Sequence, residues 1–302
     1  MPVDHAIGLA TDIAIMSLLA LSAYLVLLVG RISFGQQAFF GLGAYASAMA
    51  TVLAHWHLVP ALLLGMGVGA LASALVAFPT LRLSGLHYAV ATLAFAEMLR
   101  IALLSWHFTV ERDGELVGPD GGEGFGNIRF LLHADVSPGG FLLICLLVLA
   151  GVLLLLGLLR RTRLGLALRM VGHDEGLSAT QGLPVLRLQV LATAMAGALA
   201  ALGGGLYAHR ATYIEPALFE PMLGVHAVGY ALIGGLGVAL GPLLGVAFDI
   251  GLLEATRVFS GWRMVVFGGL VALFLRWRPR GLLDEILVHR LMPARLKRKG
   301  LK

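Results

Sequence analysis

The chain has 302 residues, 59% hydrophobic and only 13% charged. A soluble domain carries about a quarter charged residues, so an ordinary water-soluble enzyme or binding module is excluded. The net charge of +5 would suggest nucleic acid in a soluble chain, but here the basic residues gather between apolar runs and in the tail. Lipid topology accounts for that placement, and no nucleic-acid partner is expected.

Apolar runs of about 20 residues recur, each able at about 1.5 Å per residue to cross a hydrocarbon core of about 30 Å. The first, 7–29, lacks a basic leading segment and an obvious small-residue cleavage site, so it is expected as a retained helix. The second, 35–54, is rich in Gly, Ala and Ser; the third, 60–78, is expected to close at Pro79; the fourth is 86–104. A polar stretch, 107–139, follows with PDGGEGFGN at its centre, then a fifth span at 141–159. A charged island, 160–187, separates it from spans at 188–208, 222–236, 242–256 and 262–275. The expectation is an all-α, polytopic helical bundle in one domain, 1–302, with about eight to ten spans.

Arg160, Arg161, Arg163, Arg169 and Arg187 lie in or beside the island, and all three lysines (Lys297, Lys299, Lys302) lie in the basic tail, 278–302. Positive-inside topology puts both in the cytoplasm, and the four spans between them give the right parity. Counting back places 107–139 outside, where its six acids against two arginines agree, and the N-terminus outside as well. Arg257 and Arg263 fall on the outer side as exceptions. Gly/Ala-rich helices in both halves (41–50 and 197–205) hint weakly at two related halves.

No catalytic or metal site is expected. A P-loop needs a lysine after its glycines, and none occurs before Lys297. GGLGVALG (234–241) lacks a preceding strand. His55 and His57 flank Trp56 as an interfacial belt and lack a third metal ligand. Cys145, the single cysteine, sits in an apolar run.

Glu97 and Arg100 lie three apart on the fourth span and can pair. Asp249 stands alone in its own span. An acid within a span costs about 2.5–3.5 kcal/mol on insertion scales and is by default a functional candidate.

The island reads as helical over 165–171, followed by a short segment, 176–181. Asp174 and Glu175 precede that segment, where acids favour a helix N-terminus; Gly182 suits its C-cap, and Pro184 stops it. A linker of this length with a capped helix suggests a docking element for a cytoplasmic partner.

FPTLRLSGLHYAVATLAFAEMLR (78–100) resembles the signature of LivM-type permeases of branched-chain amino-acid ABC transporters. SFGQQAFFGLGAY (33–45) resembles their second-helix motif, GGLYAHRATYIEP (204–216) the segment after their cytoplasmic loop, and RWRPRGLLD (276–284) their ending. The resemblance implies a bacterial inner-membrane permease subunit with no ATPase of its own. Its partners would be a LivH-type permease, two cytoplasmic ATP-binding subunits and a periplasmic solute-binding protein, with ATP bound only in partner subunits. Glu175 and Gly182 match the family's coupling-loop pattern, and Asp174 matches its usual acid. Leu177 and Ser178 replace a common Ala-Ala pair, and Gly172 stands where a basic residue is common.

The second and fourth spans are the expected translocation path. Gly41 and Gly43 leave room beside the backbone, Gln36, Tyr45, Tyr88 and Thr92 offer hydrogen-bonding groups, and Glu97 and Asp249 are added as buried acids. The competing reading is a self-contained, ion-coupled secondary transporter, with Asp249 and Glu97 carrying the ion; it would work without ATP or partners.

Overall fold

The computed structural model describes residues 2–112 and 115–255, with isolated positions between 262 and 283. The expected ninth span, Arg257, Arg263 and the basic tail lie outside the described residues, apart from those isolated positions. Eleven helices are described: Pro2–Leu28 (α1), Gln36–Val52 (α2), Leu58–Thr80 (α3), Leu86–Leu104 (α4), Phe130–His133 (α5), Pro138–Leu159 (α6), Arg163–His173 (α7), Glu175–Thr180 (α8), Val185–Ala211 (α9), Pro221–Gly234 (α10) and Gly241–Ala255 (α11). Five of them, α1, α3, α4, α6 and α9, are long and apolar enough to cross a membrane, while α10 and α11 are shorter apolar helices.

The α4 bounds coincide with the expected run. α3 continues through Pro79 to Thr80, past the expected stop. The Leu81 N–H still reaches the Ala77 carbonyl at 2.9 Å, so proline removes only its own donor from the last turn. α6 begins on Ser137, whose hydroxyl accepts from the Gly140 N–H at 3.1 Å with Pro138 in the first turn.

α1, α2 and α9 form the centre. Ile15, Leu18 and Leu19 of α1, Phe40 and Ala44 of α2 and Leu206 of α9 are buried. The outer helices turn leucines outward: Leu63, Leu71 and Leu75 on α3, and Leu147, Leu154 and Leu155 on α6. Apolar surface on helices of this length is stable against lipid and costly against water.

Between helices in lipid there is little hydrophobic drive, so association rests on close packing. The two Gly/Ala-rich segments supply it by meeting each other. A Cβ at Gly43 of α2 would overlap the Ala201 carbonyl of α9, and one at Gly204 of α9 would overlap the Phe40 carbonyl of α2. Gly69 of α3 and Gly197 of α9 approach in the same way. Polar groups then fix the register. Ser73 Oγ donates to the Thr193 carbonyl at 2.6 Å. The His209 ring, fully buried, contacts the Gly205 carbonyl at 2.7 Å and Thr51 Oγ1 at 3.1 Å. Arg210 pairs with Asp12 and donates to the Gly8 carbonyl at 2.9 Å, fastening the end of α9 to the start of α1.

The polar stretch 107–139 departs from the all-helical expectation. It holds a short antiparallel hairpin, Val110–Arg112 (β1) with Glu115–Val117 (β2), Val110 opposite Val117. PDGGEGFGN then turns sharply on Gly121 and Gly124, both at positive φ (+51° and +78°). Phe125 and Ile214 exchange backbone hydrogen bonds of 2.7 and 3.0 Å, and Phe125 and Ile128 are fully buried. The stretch is thus folded back as a cap on that end of the bundle. At the other end of the sequence, the Leu282 and Leu283 N–H groups reach the Ile233 and Gly234 carbonyls at 2.9 and 3.0 Å, satisfying carbonyls that α10 leaves open.

Candidate functional site

The charged island folds as α7 and α8, broken at Asp174, whose backbone is extended (φ −156°, ψ 107°). Thr162 caps α7 by accepting from the Gly165 N–H at 3.2 Å. Asp174 caps α8 by accepting from the Leu177 N–H at 2.9 Å. At the other end, Gly182 has φ +82°, the Leu183 N–H reaches the Ser178 carbonyl at 3.1 Å and the Gly182 N–H the Ala179 carbonyl at 3.0 Å. This paired closure is the Schellman arrangement, and it is the C-cap expected at Gly182. Pro184, expected as a stop, also serves as the N-cap residue of α9. Asp174→Ala is expected to cost about 1 kcal/mol of α8 stability, read as faster amide hydrogen exchange over 175–182; Asp174→Asn should largely restore protection.

Gly172, Leu177 and Ser178 of this loop sit in distinct surroundings. A side chain at Gly172 would overlap the Leu28 carbonyl, because α7 crosses the end of α1 there, backbone to backbone against Gly30. Ser178 is buried (2% exposed), whereas Leu177 is 56% exposed and turns outward. Leu166 of α7 is exposed as well. Glu175 turns toward the bundle: its carboxylate lies 3.0 Å from Arg31 and accepts from Gln189 Nε2 at 2.7 Å.

Above the island, α2 and α4 meet at a small cavity of about 10 Å³. Gln36, Tyr88 and Thr92 line it together with Ser33, Phe39, Ser73, Val76 and Thr193. Thr92 Oγ1 accepts from the Phe34 N–H at 3.1 Å and donates to the Ala89 carbonyl at 2.8 Å, holding the start of α2 against α4. α2 carries several buried side-chain atoms without a hydrogen-bond partner: Gln36 Oε1, both polar atoms of the Gln37 amide, and Tyr45 Oη. Buried polar groups are nearly always paired, so this concentration on one helix sets α2 apart from a helix that serves packing alone. Gln37 was not singled out from sequence; its amide packs against Gly224 of α10.

Tyr45 sits at the capped end, within an aromatic group formed with Trp106, Phe125 and Phe219 at centroid distances of 6.1–6.5 Å. Gly41 faces the same Phe219 ring. The Tyr213 hydroxyl stands 2.9 Å from the Glu123 carbonyl and 3.2 Å from Glu215 Oε2. Partial desolvation and the Glu215 carboxylate hold this phenol above its ordinary range, so it stays protonated.

The remaining expected path residues do not reach the cavity. Gly43 is set against α9, where its missing side chain allows helix contact. Glu97 forms a forked ion pair with Arg100 (3.1 and 2.9 Å to Nε) on a part-exposed face of α4. Asp249, 1% exposed, lies between α10 and α11 with its carboxylate 4.0 Å from His226 Nδ1 and against Tyr230. Among the described residues no three His, Cys, Asp or Glu side chains gather as a metal site.

A bundle of long apolar helices, a capped polar helix pair at one end and buried polar side chains on a central helix are the features of a membrane permease component. The model of the family of branched-chain amino-acid transport system permease components matches residues 5–275, and the chain belongs to that family. It is similar to the LivM permease proteins of the high-affinity branched-chain amino-acid transport systems of Salmonella typhimurium and Escherichia coli. The first is 29% identical over 92% of this chain and 70% of its own length, the second 29% identical over 92% and 69%. No solved structure matches the chain. The chain is therefore a permease component of a branched-chain amino-acid transport system and a multi-pass membrane protein; such subunits are not themselves enzymes.

Proposed function

We propose that the chain is one half of the membrane pathway of an ATP-driven importer in a bacterial inner membrane. Residues 1–302 form a single permease domain, with 107–139 on the periplasmic side and 160–187 and 278–302 in the cytoplasm. α2, α10, α11 and the segment 262–275 add to the five long helices, giving about eight to ten spans. A LivH-type permease completes the pathway, a periplasmic binding protein delivers the solute, and two cytoplasmic subunits bind and hydrolyse ATP; this chain needs no cofactor.

The observation that carries the reading is the island. A capped helix, α8, turns Leu177 outward while Glu175 is fastened inward. Such an element can receive a push from a soluble partner and pass it to helices in lipid. Asp174 and Gly182 hold its two ends, and Ser178 seats it. The solute would pass along α2, meeting Tyr45 and then Gln36, Tyr88 and Thr92. The cavity of about 10 Å³ must widen to admit a solute, and its uncharged polar groups beside Phe39 and Val76 would then offer a branched-chain amino acid hydrogen bonds and an apolar wall.

In proteoliposomes holding the four membrane and cytoplasmic subunits, uptake is expected to require both ATP and loaded binding protein. Uptake by this chain alone, driven by a proton or sodium gradient, would overturn the reading in favour of an ion-coupled transporter.

A further inference from the structure

Arg31 lies in the turn between α1 and α2 and is 9% exposed. The positive-inside count places it on the cytoplasmic side. Its guanidinium joins three separate parts of the molecule. Nη2 donates to Glu175 Oε2 at 3.1 Å and lies 3.0 Å from Oε1, at the start of α8. Nη1 donates to the Leu83 carbonyl at 2.9 Å, in the turn between α3 and α4. The guanidinium carbon stands 5.8 Å from the centroid of the Tyr88 ring, which lines the small cavity.

A buried guanidinium is costly unless its donors are met, and its planar fork lets it meet several partners at fixed angles; here Nη1 and Nη2 are met and Nε is not. A charge in this position therefore imposes one relative placement on α8, the α3–α4 turn and Tyr88. The neighbouring contacts make the arrangement directional. α7 is fixed against the end of α1 where Gly172 meets Gly30. Just beyond Arg31, Ser33 lines the cavity and the Phe34 N–H is held by Thr92. Gln189, at the start of α9, holds the other side of the Glu175 carboxylate.

Resting on the reading of 160–187 as the coupling loop, we infer that Arg31 is a positioning residue that transmits displacement of α8 to the inner end of the route, through the Leu83 carbonyl and Tyr88. The Glu175 carboxylate is the handle by which α8 holds Arg31. Although the Glu175 side chain is 43% exposed, its Arg31 and Gln189 contacts assign it to transmission rather than to docking.

The test is a double-mutant cycle in the full reconstituted complex, with Arg31→Gln, Glu175→Gln and the pair, scored as solute taken up per ATP hydrolysed. Each single change is expected to lower that ratio about tenfold, the scale of a typical coupling free energy between sites, with the ATP-binding subunits still co-purifying. The pair should be no worse than either alone, because both remove the same link. Arg31→Lys, which keeps the charge but not the fork, should recover part of the ratio. Additive losses, unaltered coupling in Arg31→Gln, or release of the ATP-binding subunits by Glu175→Gln would each overturn the inference. Should Arg31→Gln fail to assemble, Arg31→Lys and Glu175→Gln alone decide the matter, since a docking role for Glu175 predicts dissociation and a transmitting role predicts uncoupling. Uptake independent of ATP in the unmodified complex would instead remove the functional reading on which this one rests.

Discussion

Gly204→Val should abolish the folded bundle. The new Cβ would overlap the Phe40 carbonyl and press on the Ala44 nitrogen. These are backbone atoms of α2, so no rotamer change can relieve the clash. Ordinary overpacking against side chains costs about 1–3 kcal/mol; here α2 itself must move. Moving α2 also breaks the reciprocal contact at Gly43 and Ala201 and the Thr51–His209 bond. We expect a loss of at least about 3 kcal/mol, read as disappearance of the monodisperse species in detergent chromatography. Gly67→Val on α3 is the control, because nothing lies within 4 Å of its added Cβ. Equal recovery of both variants would show that the α2–α9 approach is not what holds the centre.

The spans were legible because lipid demands long apolar runs, and such runs are local in sequence. Leu86–Leu104 is the clearest case, and the Glu97–Arg100 pair follows from the helical repeat alone. Caps were legible for the same reason: Asp174 and Gly182 act within one turn of their own positions. What was not legible depends on distant partners. Glu175 reads as an acid of the coupling loop, but its contact with Arg31, 144 residues earlier, carries no local signal. Gly43 reads as room for cargo until Ala201 fills that room. Asp249 reads as a lone acid, whereas the turn between α10 and α11 sets it against His226 and Tyr230. PDGGEGFGN reads as an outer loop, and its glycines do mark turns, but its pairing with Ile214 carries no local signal.

Leu177→Arg is expected to leave the bundle intact and disconnect it from its energy source. The side chain is 56% exposed, so the folded chain makes little use of it. Yet α8 is capped at both ends, and Ser178 beside Leu177 is buried, so Leu177 is held at a fixed outward angle. A leucine so placed can lie against an apolar surface of a partner, and putting an unmatched guanidinium there is expected to cost about 2 kcal/mol or more of binding. That corresponds to roughly 30-fold weaker association with the ATP-binding subunits. Titration of purified ATP-binding subunits onto the permease pair in nanodiscs measures it directly. Uptake should fall in parallel while chromatographic behaviour stays unchanged. The contrast with the Arg31 cycle is diagnostic: a change on the outer face of α8 should weaken assembly, whereas changes on its inner face should preserve assembly and waste ATP. If Leu177→Arg binds the ATP-binding subunits as tightly as the unmodified chain, the outward face of α8 is not where force enters the membrane.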